Sequence, residues 1–90
     1  MSYTSGRLFA GEKTGITGTA VQLATDQSNC REVLVQNDPD NAGNLLVGNS
    51  TAQEVTLTPG QSITIPIISL SLIWVKMSTG TGTANWLARD

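Results

Sequence analysis

Histidine is missing from this chain, and cysteine occurs once, at position 30. General acid–base catalysis near neutral pH rests most often on histidine, and a nucleophilic cysteine needs a neighbouring base, so two common routes to catalysis are closed. A lone cysteine forms no internal disulfide and no C-x-x-C metal motif; at the start of a strand-like run, Cys30 is expected to be a small buried hydrophobe. Charge is also scarce: 13% of the 90 residues are charged, about half the usual ~25%. The basic residues are Arg7, Lys13, Arg31, Lys76 and Arg89, scattered along a chain of net charge −2. Binding phosphates needs a clustered basic patch, so no nucleic-acid partner is expected. No apolar run approaches the ~18 residues of a membrane span. No membrane partner is expected, and since the N-terminus lacks the basic region and apolar stretch of a signal peptide, no signal peptide is expected either.

The remaining acidic and glycine-rich segments suggest no chemistry. Asp38 and Asp40 sit in the loop Asn37-Asp-Pro-Asp-Asn-Ala-Gly-Asn44. A calcium loop counted from Asp38 has Gly43 at its sixth position, as required, but Asn49 where the bidentate glutamate belongs, so a hairpin loop is the expectation. Gly80 and Gly82 lack the lysine and the following helix of a phosphate loop. No acidic pair is marked out for glycoside hydrolysis. The chain is read as a non-enzyme with no catalytic residues, no metal and no cofactor.

Ser, Thr, Asn and Gln are abundant and must supply the surface polarity, and Thr with Val and Ile favours strands. The densest apolar stretch runs from Leu57 to Lys76. Thr58-Pro59-Gly60-Gln61 is predicted to be a type II turn, with proline presetting φ and glycine taking the positive φ. Ile63, Ile65 and Ile67 then alternate with Ser62, Thr64 and Pro66, the period of a half-buried strand. From Leu70 to Met77 both faces are apolar, Leu70, Leu72 and Trp74 on one, Ile73, Val75 and Met77 on the other. A strand covered on both faces in so small a domain needs a ring of other strands, a long arm or another subunit; the last makes Leu70, Leu72 and Trp74 the candidate oligomer interface.

The other predicted strands are Thr19–Ala24, Cys30–Asn37, Asn44–Asn49, Gln53–Leu57 and Ala84–Arg89. Val33 and Val35 oppose Glu32, Leu34 and Gln36, and Val55 and Leu57 point inward. Ala84, Trp86 and Ala88 share one face. Six or seven short strands with turns every 8–12 residues predict an all-β fold, a small antiparallel β-sandwich or jelly-roll-like barrel. Residues 12–90 form the sandwich and residues 1–11 an N-terminal arm. Tyr3, Arg7, Leu8 and Phe9 are the candidate contact residues of that arm; the competing reading makes Leu8 and Phe9 an edge strand.

Four segments together carry a resemblance: Cys30-Arg-Glu-Val-Leu-Val-Gln-Asn37, Asn44-Leu-Leu-Val-Gly48, Leu57-Thr-Pro-Gly-Gln-Ser-Ile-Thr-Ile-Pro66 and Leu70-Ser-Leu-Ile-Trp-Val75. Their order resembles that of the small β-sandwich structural proteins of tailed bacteriophages, over roughly Thr19 to Ala88, and is similar to capsid decoration, or cement, proteins. The resemblance implies a virion protein made in the host cytoplasm, a homotrimer that binds the major capsid protein outside the head and braces subunit junctions. It supplies no binding residues. The alternatives are a head-fibre or tail module that binds a host receptor, and a carbohydrate-binding sandwich. Both tryptophans are expected to be buried, which counts against the last.

Overall fold

The computed structural model describes residues 8–25 and 30–90. Eight strands follow one another: β1 (Leu8–Ile16), β2 (Val21–Gln22), β3 (Glu32–Asn37), β4 (Leu45–Gly48), β5 (Gln53–Leu57), β6 (Ser62–Ile65), β7 (Trp74–Met77) and β8 (Gly82–Arg89). They form two four-stranded sheets in the orders β1-β8-β3-β6 and β2-β7-β4-β5. All pairings are antiparallel. Every strand pairs with its counterpart from the other end of the chain, β1 with β8, β2 with β7, β3 with β6 and β4 with β5. The chain is therefore one long antiparallel ribbon, reversed at the β4–β5 hairpin and rolled so that successive rungs fall alternately in the two sheets. Pairing of β3 with β8 and of β4 with β7 closes the roll. This is the strand order of a jelly roll.

The sheets enclose one apolar core. Val33, Val35, Ala84 and Ala88 project from the first sheet and Leu45, Val47, Leu57, Val75 and Met77 from the second, all buried. Alternation sets these faces: along β3, Val33, Val35 and Asn37 are buried and Glu32, Leu34 and Gln36 are half-buried on the outside. Cys30 is buried, and its thiol donates to the Ile67 carbonyl at 3.1 Å.

The Thr58–Gln61 turn forms as the Pro-Gly pair dictates. The Gln61 amide donates to the Thr58 carbonyl at 2.9 Å, and Gly60 has φ of 88°. It carries the chain from β5 in one sheet to β6 in the other. β6 stops before Pro66, which has no amide hydrogen to continue a ladder.

Three expectations need correction. First, residues 70–77 are not one strand. Leu70–Leu72 is a single 3-10 turn, and only Trp74–Met77 is strand. The Ser69 hydroxyl accepts from the Ser71 amide, and the Ile73 amide donates to the Leu70 carbonyl at 3.1 Å. Alternating serine and leucine mimics strand periodicity, but the serine hydroxyl offers the backbone a competing local partner. Second, the loop after Asn37 is not a hairpin, because β3 and β4 lie in different sheets. Third, Val55 does not point into the core; it is 47% exposed on the edge strand β5.

That inter-sheet loop is held by a buried amide. Asn37 is wholly buried, and its Nδ2 donates to the Gly43 carbonyl at 3.1 Å and the Leu57 carbonyl at 2.8 Å. Its Oδ1 accepts from Asn41 Nδ2 at 2.6 Å. Asn41 also bonds the Thr83 backbone, donating to its carbonyl at 2.7 Å and accepting from its amide at 3.1 Å. Asn37 thus ties the end of β3 to the end of β5 across the two layers.

Candidate docking surface

Rolling the ribbon sorts the connections between two ends of the sandwich. At one end lie the β1–β2, β3–β4, β5–β6 and β7–β8 connections, residues 17–20, 38–44, 58–61 and 78–81. They are rich in Thr, Asn, Asp, Ser and Gly. Asp38 Oδ1 accepts from the Asp40 amide at 2.9 Å, and Asp38 Oδ2 accepts from Asn85 Nδ2 at 3.2 Å. The Asp38 carboxylate is thus a turn and loop partner, and among the described residues no group of three or more His, Cys, Asp or Glu side chains is placed to hold a metal ion.

The opposite end is different. It carries the start of β1, the end of β8, the 66–73 connection and the β4–β5 hairpin. The 66–73 segment is anchored by the Cys30 amide donating to the Ile68 carbonyl at 3.1 Å and the Ile67 amide donating to the Arg31 carbonyl at 3.1 Å. Large apolar side chains stay in water here: Ile68 is 71% exposed, Leu8 66% and Leu72 49%. Around the corner, the outer face of the first sheet has a shallow hollow of about 100 Å³ among Leu8, Leu34, Leu87, Thr64, Glu32 and Arg89. Register explains it, since Leu87 stands opposite both Ala10 and Leu34, and Leu34 opposite Thr64. Arg89 Nε donates to Glu32 Oε1 at 2.7 Å on the rim; Arg89 is exposed and Glu32 half-buried but open to water, so the pair is worth at most about 1 kcal/mol.

The sequence-predicted residues fall in different places. Tyr3 and Arg7 lie outside the described residues. Leu8 and Phe9 belong to β1, paired with Arg89 and Ala88 of β8, so they form an edge strand and the boundary drawn at residue 11 falls inside it. Leu70, proposed for an interface, is 1% exposed in this chain's own core. That removes it as a surface contact, because the 3-10 turn swings it inward and Leu72 outward. Trp74 is half-buried on the outer face of the second sheet, opposite Gly48 and Gln22. Trp86, also expected to be buried, is half-buried: its ring fills the space of the side chain that Gly11, its cross-strand partner, lacks.

Sequence reasoning missed Ile68, Leu34 and Leu87. The last two were legible, since both alternate with inward residues; Ile68 lies just past the alternating Ile63–Ile67 run, where the pattern gives no signal for it. No helix among the described residues is long and apolar enough to cross a membrane. Compared with protein families, curated proteins and solved structures, the chain matches none.

Proposed function

We propose that this chain is a capsid decoration protein of a tailed bacteriophage, which docks its apolar end on the outside of the head, at junctions of the major capsid protein, and braces the shell. One observation carries the reading: the end-to-end asymmetry that leaves Ile68, Leu72 and Leu8 exposed at one end and clusters polar loops at the other. Covering one large aliphatic side chain is worth about 1.5–3 kcal/mol. Contact made through such groups, hydroxyls and backbone depends little on salt. A ligand that binds only the assembled shell stabilises it by mass action. The sandwich base is preferred to the terminal arm as the anchor, because Leu8 and Phe9 are strand residues.

Mixing purified protein with undecorated heads and counting bound copies by electron microscopy tests the reading. Ile68→Ser with Leu72→Ser should lower occupancy at least tenfold, whereas deletion of residues 1–7 should leave it unchanged. Full-length protein that ignores heads, or a double variant that binds as well as the wild type, overturns it. The half-exposed Trp74 on a sheet face favours a second reading, binding of a receptor or glycan. Binding to host cells or glycan surfaces, lost on Trp74→Ala and with no binding to heads, would put that reading in place of decoration.

A further inference from the structure

On the outer face of the first sheet, the two central strands set complementary side chains next to each other. Glu32 of β3 stands beside Arg89 of β8, Leu34 beside Leu87 and Gln36 beside Asn85. Arg89 Nε donates to Glu32 Oε1 at 2.7 Å, and Asn85 Nδ2 donates to Gln36 Oε1 at 3.1 Å. All six residues are exposed or half-buried, Leu87 being 39% exposed. Acid stands beside base, leucine beside leucine and amide beside amide, all along one line between the two strands. A two-fold axis on that line, parallel to the strands, lays β3 of each copy over β8 of the other. Each side chain then meets a copy of its own neighbour: Glu32 meets Arg89, Leu34 meets Leu87 and Gln36 meets Asn85. A two-fold axis across the strands, through the leucines, sets Glu32 over Gln36 and Arg89 over Asn85 instead, and leaves both charges without an opposite across the contact.

We propose that this face is a self-association surface, on which a second copy of the chain packs back to back about the axis parallel to the strands. Such an interface is isologous and closes as a dimer. Charge complementarity fixes its register, since each Arg89 gains a second carboxylate and each Glu32 a second guanidinium. The flanking strands fit as well. Ala10 shares the Leu87 row and Thr64 the Leu34 row, so these two meet; Glu12 meets Ser62 in the same way, and no like charges are opposed. Stacked sheets cross at about 30°, so contact is closest at the axis, where the leucines are. There the hollow of about 100 Å³ beside Leu34 and Thr64 receives Leu87 of the second copy. Three rows across four strands span only about 20 Å each way, less than the ~800 Å² per partner of a standard interface. The association is therefore weak, and the roll folds without it. Because the axis runs along the strands, the two apolar ends, with Ile68 and Leu72, point the same way. On the decoration reading, one dimer then sets two ends on a shell and each reinforces the other; the self-association itself does not rest on that reading.

The test is the mass of the full chain by sedimentation and light scattering, from low micromolar to millimolar concentration, with no shell present. The expected result is a concentration-dependent rise toward two 9.5 kDa copies. Arg89→Glu sets acid over acid and Glu32→Arg sets base over base, so each variant alone should associate at least tenfold more weakly while keeping the wild-type circular dichroism. Mixed in equal amounts, the two variants should pair with each other, because the two bases of one copy then face the two acids of the other. Mixing restores nothing within a chain, so it separates the contact between copies from loss of the internal Glu32–Arg89 pair. Leu87→Ser should weaken association likewise, and it takes the place of a charge variant that fails to fold. Ile68→Ser with Leu72→Ser should dimerise as the wild type does, which keeps failure of the shell contact distinct from failure of this one. A single copy at every concentration, a three-copy species, a dimer that survives both charge reversals, or a mixture that stays single while the wild type pairs overturns the proposal.

Discussion

Replacing Asn37 by alanine should cost more than its place at a strand end suggests. The side chain is wholly buried and makes three hydrogen bonds, two to backbone carbonyls of buried residues, Gly43 and Leu57, and one with Asn41. Truncation leaves those two carbonyls short of a donor, at about 1–3 kcal/mol each, and opens a small void. Asn41 loses less, because it keeps both bonds to the Thr83 backbone. The expected loss is therefore about 2–5 kcal/mol, from a total of about 5–13 kcal/mol for a domain of this length. Urea unfolding followed by tryptophan emission measures it: with m near 1 kcal/mol/M, the midpoint should drop by about 2 M or more at unchanged m. Asn41→Ala should cost less, and the double variant should fall short of the sum, with a coupling of about 0.5–3 kcal/mol between the two amides. A loss below about 1 kcal/mol for Asn37→Ala would refute the claim that this amide ties the layers together.

Two glycine variants separate conformational strain from collision. A Cβ at Gly60 meets nothing within 4 Å, so Gly60→Ala pays only for φ of 88°, about 1–2 kcal/mol by thermal or urea melts. A Cβ at Gly48 falls 1.9 Å from the Ala52 carbonyl oxygen across the β4–β5 hairpin, so Gly48→Ala should cost at least twice as much; equal losses would show that the hairpin relaxes freely. Burial pushes the Cys30 thiol above its ordinary value of 9.0. A raised thiol pKa means that the folded state holds its proton longer, so this contribution to stability is complete below the unfolded value and is lost as pH climbs from there through the folded one. Wild type should therefore lose more stability than Cys30→Ala between neutral and strongly alkaline pH, and parallel pH profiles would refute the assignment.

Much of the fold was written in local pattern. Alternation along Glu32–Asn37 and Ala84–Arg89 set the correct inward faces, and Pro59-Gly60 set its own turn, because both signals act over a few residues. The ribbon pairing was not legible, because it is set by contacts between chain ends, such as Leu8 with Arg89. The same gap hid the role of Asn37: an asparagine before Asp-Pro-Asp is a turn signal locally, and only the crossing from β3 to β4 buries it. The candidate surface fared worse. Leu70, Leu72 and Trp74 share a face only if residues 70–77 are extended, and one serine-capped turn sends the three side chains to the core, to solvent and to a sheet face.

The jelly roll also changes what the apolar surplus means. Taken as a flat strand, Leu70–Met77 demanded a partner over its second face. In the roll, Leu70, Ile73, Val75 and Met77 all find the core, and the surplus reappears mainly at the ends and edges, as Ile68, Leu72, Leu8 and Val55, with Leu87 on the outer face of the first sheet. Such positions suit contacts made after folding, because none of them has to be covered for the core to close. A broad interface through the middle of a sheet would bind folding to assembly, so that dilution below the association constant would unfold the chain. Contacts at an end and an edge keep the two processes apart. This chain should therefore melt as a cooperative monomer at high dilution, with Tm independent of concentration there. A Tm that keeps falling with dilution would show that the isolated roll does not suffice, and that the sheet faces, not the ends, carry the missing contact.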